Sequence, residues 1–338
     1  MDKRRYWLSH SMMQQQKFFT FHLFCTSELC SKALSFDNTK KNVFLFCIVL
    51  TFSYLCRTNS NHFAMGIIIG IDVGISTTKI VGLKEGKPTA PIRITAADPI
   101  TSLYGAFGKY LHDNNINLND VEHVMLTGVG TGYVKNDVYG VKTSRCDEFI
   151  ADALGARYES HIDHAIVVSM GTGTSFVMCQ GDNIRHIGGI GIGGGTLQGL
   201  SRLMLNTSDI KTVSALAMQG DISHINLSIG DISAQPLPGL PMEATASIFA
   251  RAQNDASRED IACGIISLVM QSIGSAAVLA AQGTGCHDMV LIGNLSLLPQ
   301  CKDIFPALER LYNVRFHIPK YSSFCTAIGA ALAYRIDS

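Results

Sequence analysis

Two stretches of the chain repeat one pattern of strand, turn and strand. Residues 67–83 read IIIGIDVGISTTKIVGL, and residues 165–181 read AIVVSMGTGTSFVMCQG. Each stretch places two apolar runs around a Gly-x-polar turn, and each opens a block of three predicted strands followed by a helix. Predicted strands and helices alternate along the rest of the chain, which indicates an α/β fold with covered sheets. The repeat therefore predicts one fold used twice, with a cleft between the two copies.

The turns of both hairpins are suited to binding phosphate groups. Glycine lets the backbone approach a ligand closely, and backbone N–H groups and Ser or Thr hydroxyls donate hydrogen bonds to phosphate oxygens. The copies differ near the end of the first strand, where the first has Asp72 and the second has Ser169. A single carboxylate suits a Mg²⁺–triphosphate site, because phosphate oxygens and water complete the octahedron, and Lys79 would neutralise phosphate charge. The chain has no GxxxxGK[ST] sequence, which excludes a Walker-type site.

The first 64 residues differ from the rest in composition. They carry 8 Lys or Arg against 3 Asp or Glu, whereas residues 65–338 carry 19 against 24. The apolar run at 42–56 is shorter than the ~20 residues that span a bilayer, and it lies far from the N-terminus for a secretory signal. We expect 1–64 to be an extension that is disordered or precedes the working start, with a membrane anchor at 42–56 as the alternative. The remainder is predicted to divide into domains at 65–163 and 164–338.

Charge and cysteine usage narrow the class of protein further. The net charge of zero argues against a nucleic-acid partner. The six cysteines beyond residue 64 are scattered singly, without CxxC pairs or metal-ligand spacing. They indicate thiols of a reducing compartment rather than a disulfide framework, and hence a cytoplasmic protein.

Nine motifs from residue 65 onward resemble those of one enzyme family. They are GIDVGISTTKIV (70–81), TGVGTG (127–132), DEFIADALG (147–155), MGTGTSF (170–176), HIGGIGIGGGTLQGL (186–200), QGD (219–221), PLPGLPMEATASIFA (236–250), LIGNLS (291–296) and AIGAAL (327–332). Their order and spacing resemble the type II pantothenate kinases, within the actin/hexokinase/Hsp70 superfamily of ATP-binding proteins. The resemblance implies duplicated ribonuclease H-like (actin-like ATPase) domains with an interdomain ATP cleft. It also implies a homodimeric enzyme that phosphorylates the terminal hydroxyl of pantothenate with MgATP, and the long helix predicted over 257–282 is the candidate for the dimer interface.

The resemblance implies roles for individual residues. Glu148 corresponds to the catalytic acid of the family, which accepts the proton of the pantothenate hydroxyl, whereas its local sequence alone favours an acid placed at a helix N-terminus. Asp72 would hold Mg²⁺, and Thr172 falls where the family has a small hydroxyl residue near the substrate. The glycine run 193–195 would open a helix whose N-terminal donors favour anions. The ATP-binding roles fall on Asp72, Gly74, Ser76, Thr77, Lys79, Gly171, Gly173, Thr174, Gly193, Gly194, Gly195, Thr196, Gly293 and Asn294.

Two positions depart from the family pattern. Ile75 stands where the family has a second glycine in its first hairpin turn. His186 stands where the family often has an arginine that holds substrate and transition-state charge, and Arg185 directly precedes it. Either Arg185 reaches the substrate, or His186 supplies a weaker and pH-dependent charge.

Three other functions remain open on the sequence. An ATPase activator of radical dehydratases shares the superfamily fold, but it carries a bridging [4Fe–4S] cluster and needs Cys in or beside the second hairpin. The turn MGTGTSF has none, and the nearest candidates are Cys146 and Cys179. A non-catalytic nucleotide-binding regulator would explain the His186 departure. A sugar kinase is the third, although the chain lacks the expected second acidic motif.

Overall fold

The structure is a computed structural model that describes residues 66–75, 77–95 and 98–337. These residues belong to one compact unit, Met65–Ser338. The apolar run at 42–56, the extension around it and the predicted ligand Ser76 lie outside the described residues. The division of the remainder at 163/164 stays a prediction, because both sheets lie within that one unit.

The first sheet contains six strands and carries the first hairpin. Its strands are β1 (Ile67–Val73), β2 (Thr78–Lys84), β3 (Lys87–Pro88), β4 (Ile92–Ile94), β5 (Val121–Thr127) and β6 (Thr143–Arg145). The order is β3-β2-β1-β5-β6, and β4 also pairs with β2. Strand β1 runs antiparallel to β2 and parallel to β5. Helix α1 (Pro99–Asp113) buries Leu103, Phe107 and Tyr110 against this sheet, and the helical spacing of those residues puts them on one face of the helix.

The second sheet repeats this arrangement. Its strands are β7 (His164–Met170), β8 (Thr174–Gln180), β9 (Asn183–Ile190), β12 (Asp288–Ile292) and β13 (Arg315–His317), and a separate ribbon joins β10 (Leu227–Ser228) to β11 (Thr245–Ser247). The order is β13-β12-β7-β8-β9. Strand β7 runs antiparallel to β8 and parallel to β12, as β1 does to β2 and β5. The predicted duplication of an α/β unit is confirmed.

Seven more α-helices complete the described part of the chain. They are α2 (Glu148–Ser160), α3 (Gly194–Leu205), α4 (Ile210–Ala217), α5 (Ile229–Ile232), α6 (Arg258–Ala281), α7 (Cys301–Tyr312) and α8 (Cys325–Asp337). Single 3₁₀ turns lie at Leu118–Asp120, Val129–Tyr133, Ile222–His224, Asn294–Leu297 and Ser322–Phe324.

Helix α6, the candidate for the dimer interface, forms much of the core under the second sheet. The side chain of Ser257 caps it by accepting a hydrogen bond from the amide of Asp260. It is the one described helix long and apolar enough to cross a membrane, but 61% of its apolar window is buried inside the protein. Leu268 is partly exposed and Leu279 is 63% exposed. The dimer interface stays a prediction, and the apolar composition of α6 is explained by the core it fills.

Helices α2 and α8 cross each other, and each packs on the sheet from which it does not emerge. Helix α2 follows the first sheet and packs through Ala153 and Ala156 on Val167 and Val177 of the second. Helix α8 follows the second sheet and packs on Ile68, Leu83 and Met125 of the first. At the crossing, a Cβ added to Gly155 would lie 1.8 Å from the carbonyl oxygen of Cys325, and one added to Gly329 would lie 1.8 Å from that of Ala151. Glycine is required at both positions because the two backbones touch there.

Candidate active site

Asp72 and Lys79 form an ion pair across the first hairpin. They are direct partners in the β1–β2 register, and the Lys79 ammonium lies 3.0 Å from Asp72 Oδ2. Both residues are buried, with 6% and 8% of their surface exposed. In the turn between them the amide of Gly74 donates to the carbonyl of Thr77, and Ile75 projects into solvent at 64% exposure. Lys79 was predicted to meet phosphates, and here its charge is paired with Asp72.

The backbone of Gly128 closes over the other oxygen of Asp72. Asp72 pairs with Thr127 on β5, and Gly128 follows with φ of 91°. A Cβ at Gly128 would lie 2.7 Å from Asp72 Oδ1, so a side chain there would displace the carboxylate. The hydroxyl of Thr127 is buried and makes no hydrogen bond. The TGVGTG motif thus has a definite role, because it lets a bare backbone approach the predicted metal ligand.

The second hairpin is tied to the glycine run that precedes α3. The amides of Gly194 and Gly195 donate to the carbonyls of Gly171 and Thr172, each at 2.9 Å. The hydroxyl of Thr174 donates to the carbonyl of Ile192, and that of Thr196 donates to Gly191. The predicted anion site at the start of α3 would therefore need donors other than these two amides, which hold the helix to the hairpin. The turn itself stays open, since Gly171 and Thr172 are exposed.

The turn after β12 lies at the end of the second sheet where the second hairpin turns. Gly293 has φ of 94°, and a Cβ there would lie 2.4 Å from the carbonyl oxygen of Met170, the last residue of β7. Asn294 follows, and its Oδ1 accepts a hydrogen bond of 3.2 Å from Nη1 of Arg93 on β4. A contact between side chains of the two sheets therefore exists beside the predicted nucleotide site. Sequence reasoning identified Gly293 and Asn294 through the LIGNLS motif, but it did not identify Arg93.

Glu148 is the first residue of α2 and is half-buried. Asp147 caps the helix by accepting hydrogen bonds from the amides of Phe149 and Ile150, which leaves the carboxylate of Glu148 free of a capping role. Burial raises the pKa of Glu148, the negative charge of Asp72 raises it further, and Lys79 opposes the rise. The predicted base thus lies within the electrostatic reach of the Asp72–Lys79 pair. A carboxyl with a raised pKa in such a place has the property of a general base.

Asp152, one helical turn after Glu148, was missed by the sequence analysis. It is 1% exposed, and its Oδ1 accepts a hydrogen bond of 2.6 Å from the hydroxyl of Thr326 on α8. Its Oδ2 makes no hydrogen bond of ordinary geometry, although the hydroxyl of Ser169 lies near enough to oppose the pKa shift. Burial raises the pKa of Asp152 from 3.8 to about 7, and the charge of Glu148 adds to the rise. A buried carboxyl that holds its proton up to about pH 7 therefore lies one helical turn from the predicted base.

The two candidates for the missing arginine lie on opposite faces of β9. His186 is the register partner of Val177, which packs against α2, and its ring stacks on that of Phe149 at 4.0 Å and 11°. Arg185 is the partner of Met178, which belongs to the core on the other side. The structure thus places His186, and not Arg185, on the face of the sheet that meets the helix of Glu148. The role of either residue toward substrate stays a prediction.

The residues at the first hairpin fit a magnesium ion that is shared with a triphosphate. Asp72 offers one carboxylate oxygen that is not bonded to Lys79, and the described residues contain no cluster of three or more His, Cys, Asp or Glu able to enclose a metal. A dedicated protein cage is not what Mg²⁺ uses with nucleotides, because phosphates and water supply most of its ligands. The donor set is therefore of the right kind for MgATP.

The fold and the paired hairpins define the class of the protein as the actin-like ATPase fold. The chain is similar to the activator of the 2-hydroxyisocaproyl-CoA dehydratase from Clostridium difficile with bound ADPNP, at a TM-score of 0.59 and 19% identity over 80% of this chain and 94% of that one. It is also similar to a ROK family glucokinase from Streptomyces griseus in complex with glucose and AMPPNP, at a TM-score of 0.52 and 13% identity over 80% and 100%. At such identities the likeness confirms the fold alone.

The particular relatives within this class are type II pantothenate kinases. Residues 157–297 match the family model described as Fumble. The chain is 28% identical over 225 residues to the type II pantothenate kinase of Staphylococcus haemolyticus, covering 64% of this chain and 84% of the relative. It is 26% identical over 276 residues to that of Staphylococcus aureus strain USA300, covering 78% and 97%. The resemblance that the sequence motifs indicated is confirmed, and relatives that are kinases by name support an ATP-dependent kinase.

Proposed function

We propose that the protein is a pantothenate kinase, which transfers the γ-phosphoryl group of ATP to the primary hydroxyl of pantothenate. The observation that carries the proposal is that the charges of Asp72 and Lys79 act on the carboxyl of Glu148, whose pKa is raised, which supports a base near the predicted metal and phosphate site. The choice of pantothenate as the acceptor rests on the pantothenate kinases to which this chain is similar. The product would be phosphopantothenate, so the reaction would be the entry step to coenzyme A.

The residues have distinct tasks in this reaction. Glu148 takes the proton of the acceptor hydroxyl as its oxygen attacks the γ-phosphorus, and the bond from that phosphorus to the bridging oxygen breaks to release ADP. The raised pKa of Glu148 makes it a stronger base than an exposed carboxylate, and such a base supplies about 10²–10⁴-fold in rate. Asp72 would hold Mg²⁺, which neutralises triphosphate charge when bound. The hairpin turns position the phosphates, because phosphoryl transfer asks a protein mainly for positioning and charge compensation.

The test is a coupled ATP-consumption assay on the full chain with pantothenate, N-acetylglucosamine or no acceptor. We expect turnover with pantothenate alone. Glu148→Gln should lower kcat about 10²–10⁴-fold, whereas Glu159→Gln should leave it unchanged, since Glu159 lies roughly 16 Å further along the same helix. Equal turnover with all three additions would exclude pantothenate as the acceptor, and full activity of Glu148→Gln would exclude that residue as the base.

The dehydratase activator remains a second candidate because a solved activator shares the fold. The nearest buried thiol on the second hairpin is that of Cys179 on β8, and burial raises its pKa to about 11. A cluster ligand must be a thiolate, so this environment disfavours cluster binding. Anaerobically purified protein that contains about two cluster irons per chain and no pantothenate-dependent turnover would favour the activator.

We propose that the protein acts in the cytoplasm. Cys179, Cys286, Cys301 and Cys325 are buried free thiols, as expected for a reducing compartment. The resemblance further supports a homodimer.

A further inference from the structure

Three charged residues form a row across the first sheet. Lys79 is the register partner of Asp72 on β1 and of Arg93 on β4. Directly opposed residues of antiparallel strands project from the same face of the sheet. Asp72, Lys79 and Arg93 therefore share one face at the end of the sheet where the first hairpin turns.

Of the two positive charges in this row, that of Arg93 is not neutralised by a carboxylate of the described residues. Lys79 is neutralised by Asp72 at 3.0 Å, and both are buried. Arg93 is exposed and takes part in no ion pair with any other residue that the structure describes. Its recorded partner is the neutral amide oxygen of Asn294, which uses one of the five N–H donors of the guanidinium.

Asn294 places this guanidinium between the two sheets. It follows Gly293, whose backbone lies against the carbonyl of Met170 at the end of β7. Met170 directly precedes the turn of the second hairpin. The backbone of Arg93 thus lies next to Lys79 on the first sheet, and its guanidinium reaches Asn294, beside the second hairpin on the other sheet. A guanidinium in that position lies on the path that a polyphosphate would take between the hairpins.

We propose that Arg93 is a phosphate-binding residue of the cleft, whose guanidinium donates to Asn294 in this structure and to phosphate oxygens in the nucleotide complex. The inference rests on the proposed function, because it requires that the cleft hold a nucleotide. Arginine suits the task because its planar fork of donors matches a phosphate group with two parallel hydrogen bonds. A purely structural role is disfavoured, since an exposed hydrogen bond to a neutral amide contributes little to stability.

The test measures nucleotide binding directly and needs no acceptor. The affinity of the full chain for AMPPNP with Mg²⁺ is determined by calorimetry for the parent, Arg93→Gln, Arg93→Lys and Lys84→Gln. Lys84 is the matched control, because it is an exposed cation on β2 that lies five residues, or about 17 Å, beyond Lys79. We expect Arg93→Gln to weaken binding about 10- to 100-fold and Arg93→Lys to weaken it several-fold, as for the loss of a charged hydrogen bond. Lys84→Gln should stay within about 2-fold of the parent.

The first three of the following outcomes overturn the inference, and the fourth overturns the proposed function alone. If Arg93→Gln and Lys84→Gln bind AMPPNP equally well, Arg93 does not contact phosphate. If nucleotide affinity is unchanged and the KM for pantothenate rises instead, Arg93 binds the acceptor carboxylate. A parent protein that binds no AMPPNP removes both this inference and the proposed function. A parent that binds AMPPNP without phosphorylating pantothenate removes only the proposed function, and the comparison of variants still decides the role of Arg93.

Discussion

Replacing Asp152 by asparagine should change how the stability of the protein depends on pH. The carboxyl has a pKa of about 7 in the folded protein and an ordinary value of 3.8 when exposed. Between those values the folded state holds a proton that the unfolded state has lost. The free energy of unfolding therefore falls as pH rises through this window, and it stops falling above the folded pKa.

The size of the effect follows from the width of the window. Each pKa unit corresponds to about 1.4 kcal/mol, so the full shift costs roughly 4 kcal/mol above pH 7. Only the part of the window above pH 5, about two pKa units, is lost between pH 5 and pH 8.5, so that loss is about 3 kcal/mol. Asparagine keeps an acceptor for the hydroxyl of Thr326 and does not titrate. Its own unpaired N–H group is costly, but that cost is the same at both pH values.

The assay is urea unfolding of the full chain, followed by circular dichroism at pH 5 and pH 8.5. We expect the stability of Asp152→Asn relative to the parent to improve by about 3 kcal/mol from the lower to the higher pH. Asp255→Asn, at an exposed position, is the control and should show no such difference. A relative stability of Asp152→Asn that is equal at both pH values would mean that the folded protein accommodates the ionised carboxylate, and the reasoning from burial would be wrong.

Three other predictions concern the site and the helix crossing. Asp72→Asn should abolish the Mg²⁺ dependence of AMPPNP affinity in calorimetry, because the carboxylate is the predicted metal ligand; an unchanged dependence would place the metal elsewhere. Gly155→Ala should lower the free energy of unfolding by roughly 3 kcal/mol or more, because a Cβ meets the Cys325 carbonyl at 1.8 Å. Gly108→Ala, in open space on α1, should instead raise it by about 0.5–1 kcal/mol, and equal effects in urea unfolding would refute the close crossing. The acidic limb of kcat/KM should fall at a pH above the ordinary carboxylate pKa of 4.5, since burial and Asp72 raise the pKa of Glu148.

The hairpins and the duplication could be predicted because local pattern determines them. Apolar runs around a glycine turn specify a hairpin without knowledge of the rest of the chain, and the second occurrence reveals the repeat. Asp72 was identifiable for the same reason, as the one acid in an otherwise apolar strand. The spacing of Leu103, Phe107 and Tyr110 likewise indicates an amphipathic helix, and these residues lie on the buried face of α1.

The features that were missed depend on contacts between distant parts of the chain. Arg93 lies in a three-residue strand, and its partner Asn294 is 201 residues away in sequence. Asp152 lies in an alanine-rich helix whose pattern indicates packing, and only the approach of Thr326 from α8 makes it a buried acid. The pairing of Lys79 with Asp72 was not foreseen either, although residues seven apart across a tight hairpin can face each other. In each case the sequence showed the residue type, but its hydrogen bond or ion pair depends on a neighbour that only the fold brings close.

The position of Asp152 also supplies a physical reason for the difference between Asp72 on the first hairpin and Ser169 on the second. Ser169 occupies on β7 the place that Asp72 occupies on β1, and its hydroxyl lies close to the carboxyl of Asp152. An aspartate at 169 would put two carboxyls into one buried region, where like charges cannot both ionise and one would have to remain protonated. A small hydroxyl residue at 169 avoids that conflict, and Asp152 on α2 remains the one of these two positions that carries a carboxyl. The packing of α2 against the second sheet therefore disfavours an acid at 169, which leaves Asp72 as the predicted metal ligand of the two hairpins.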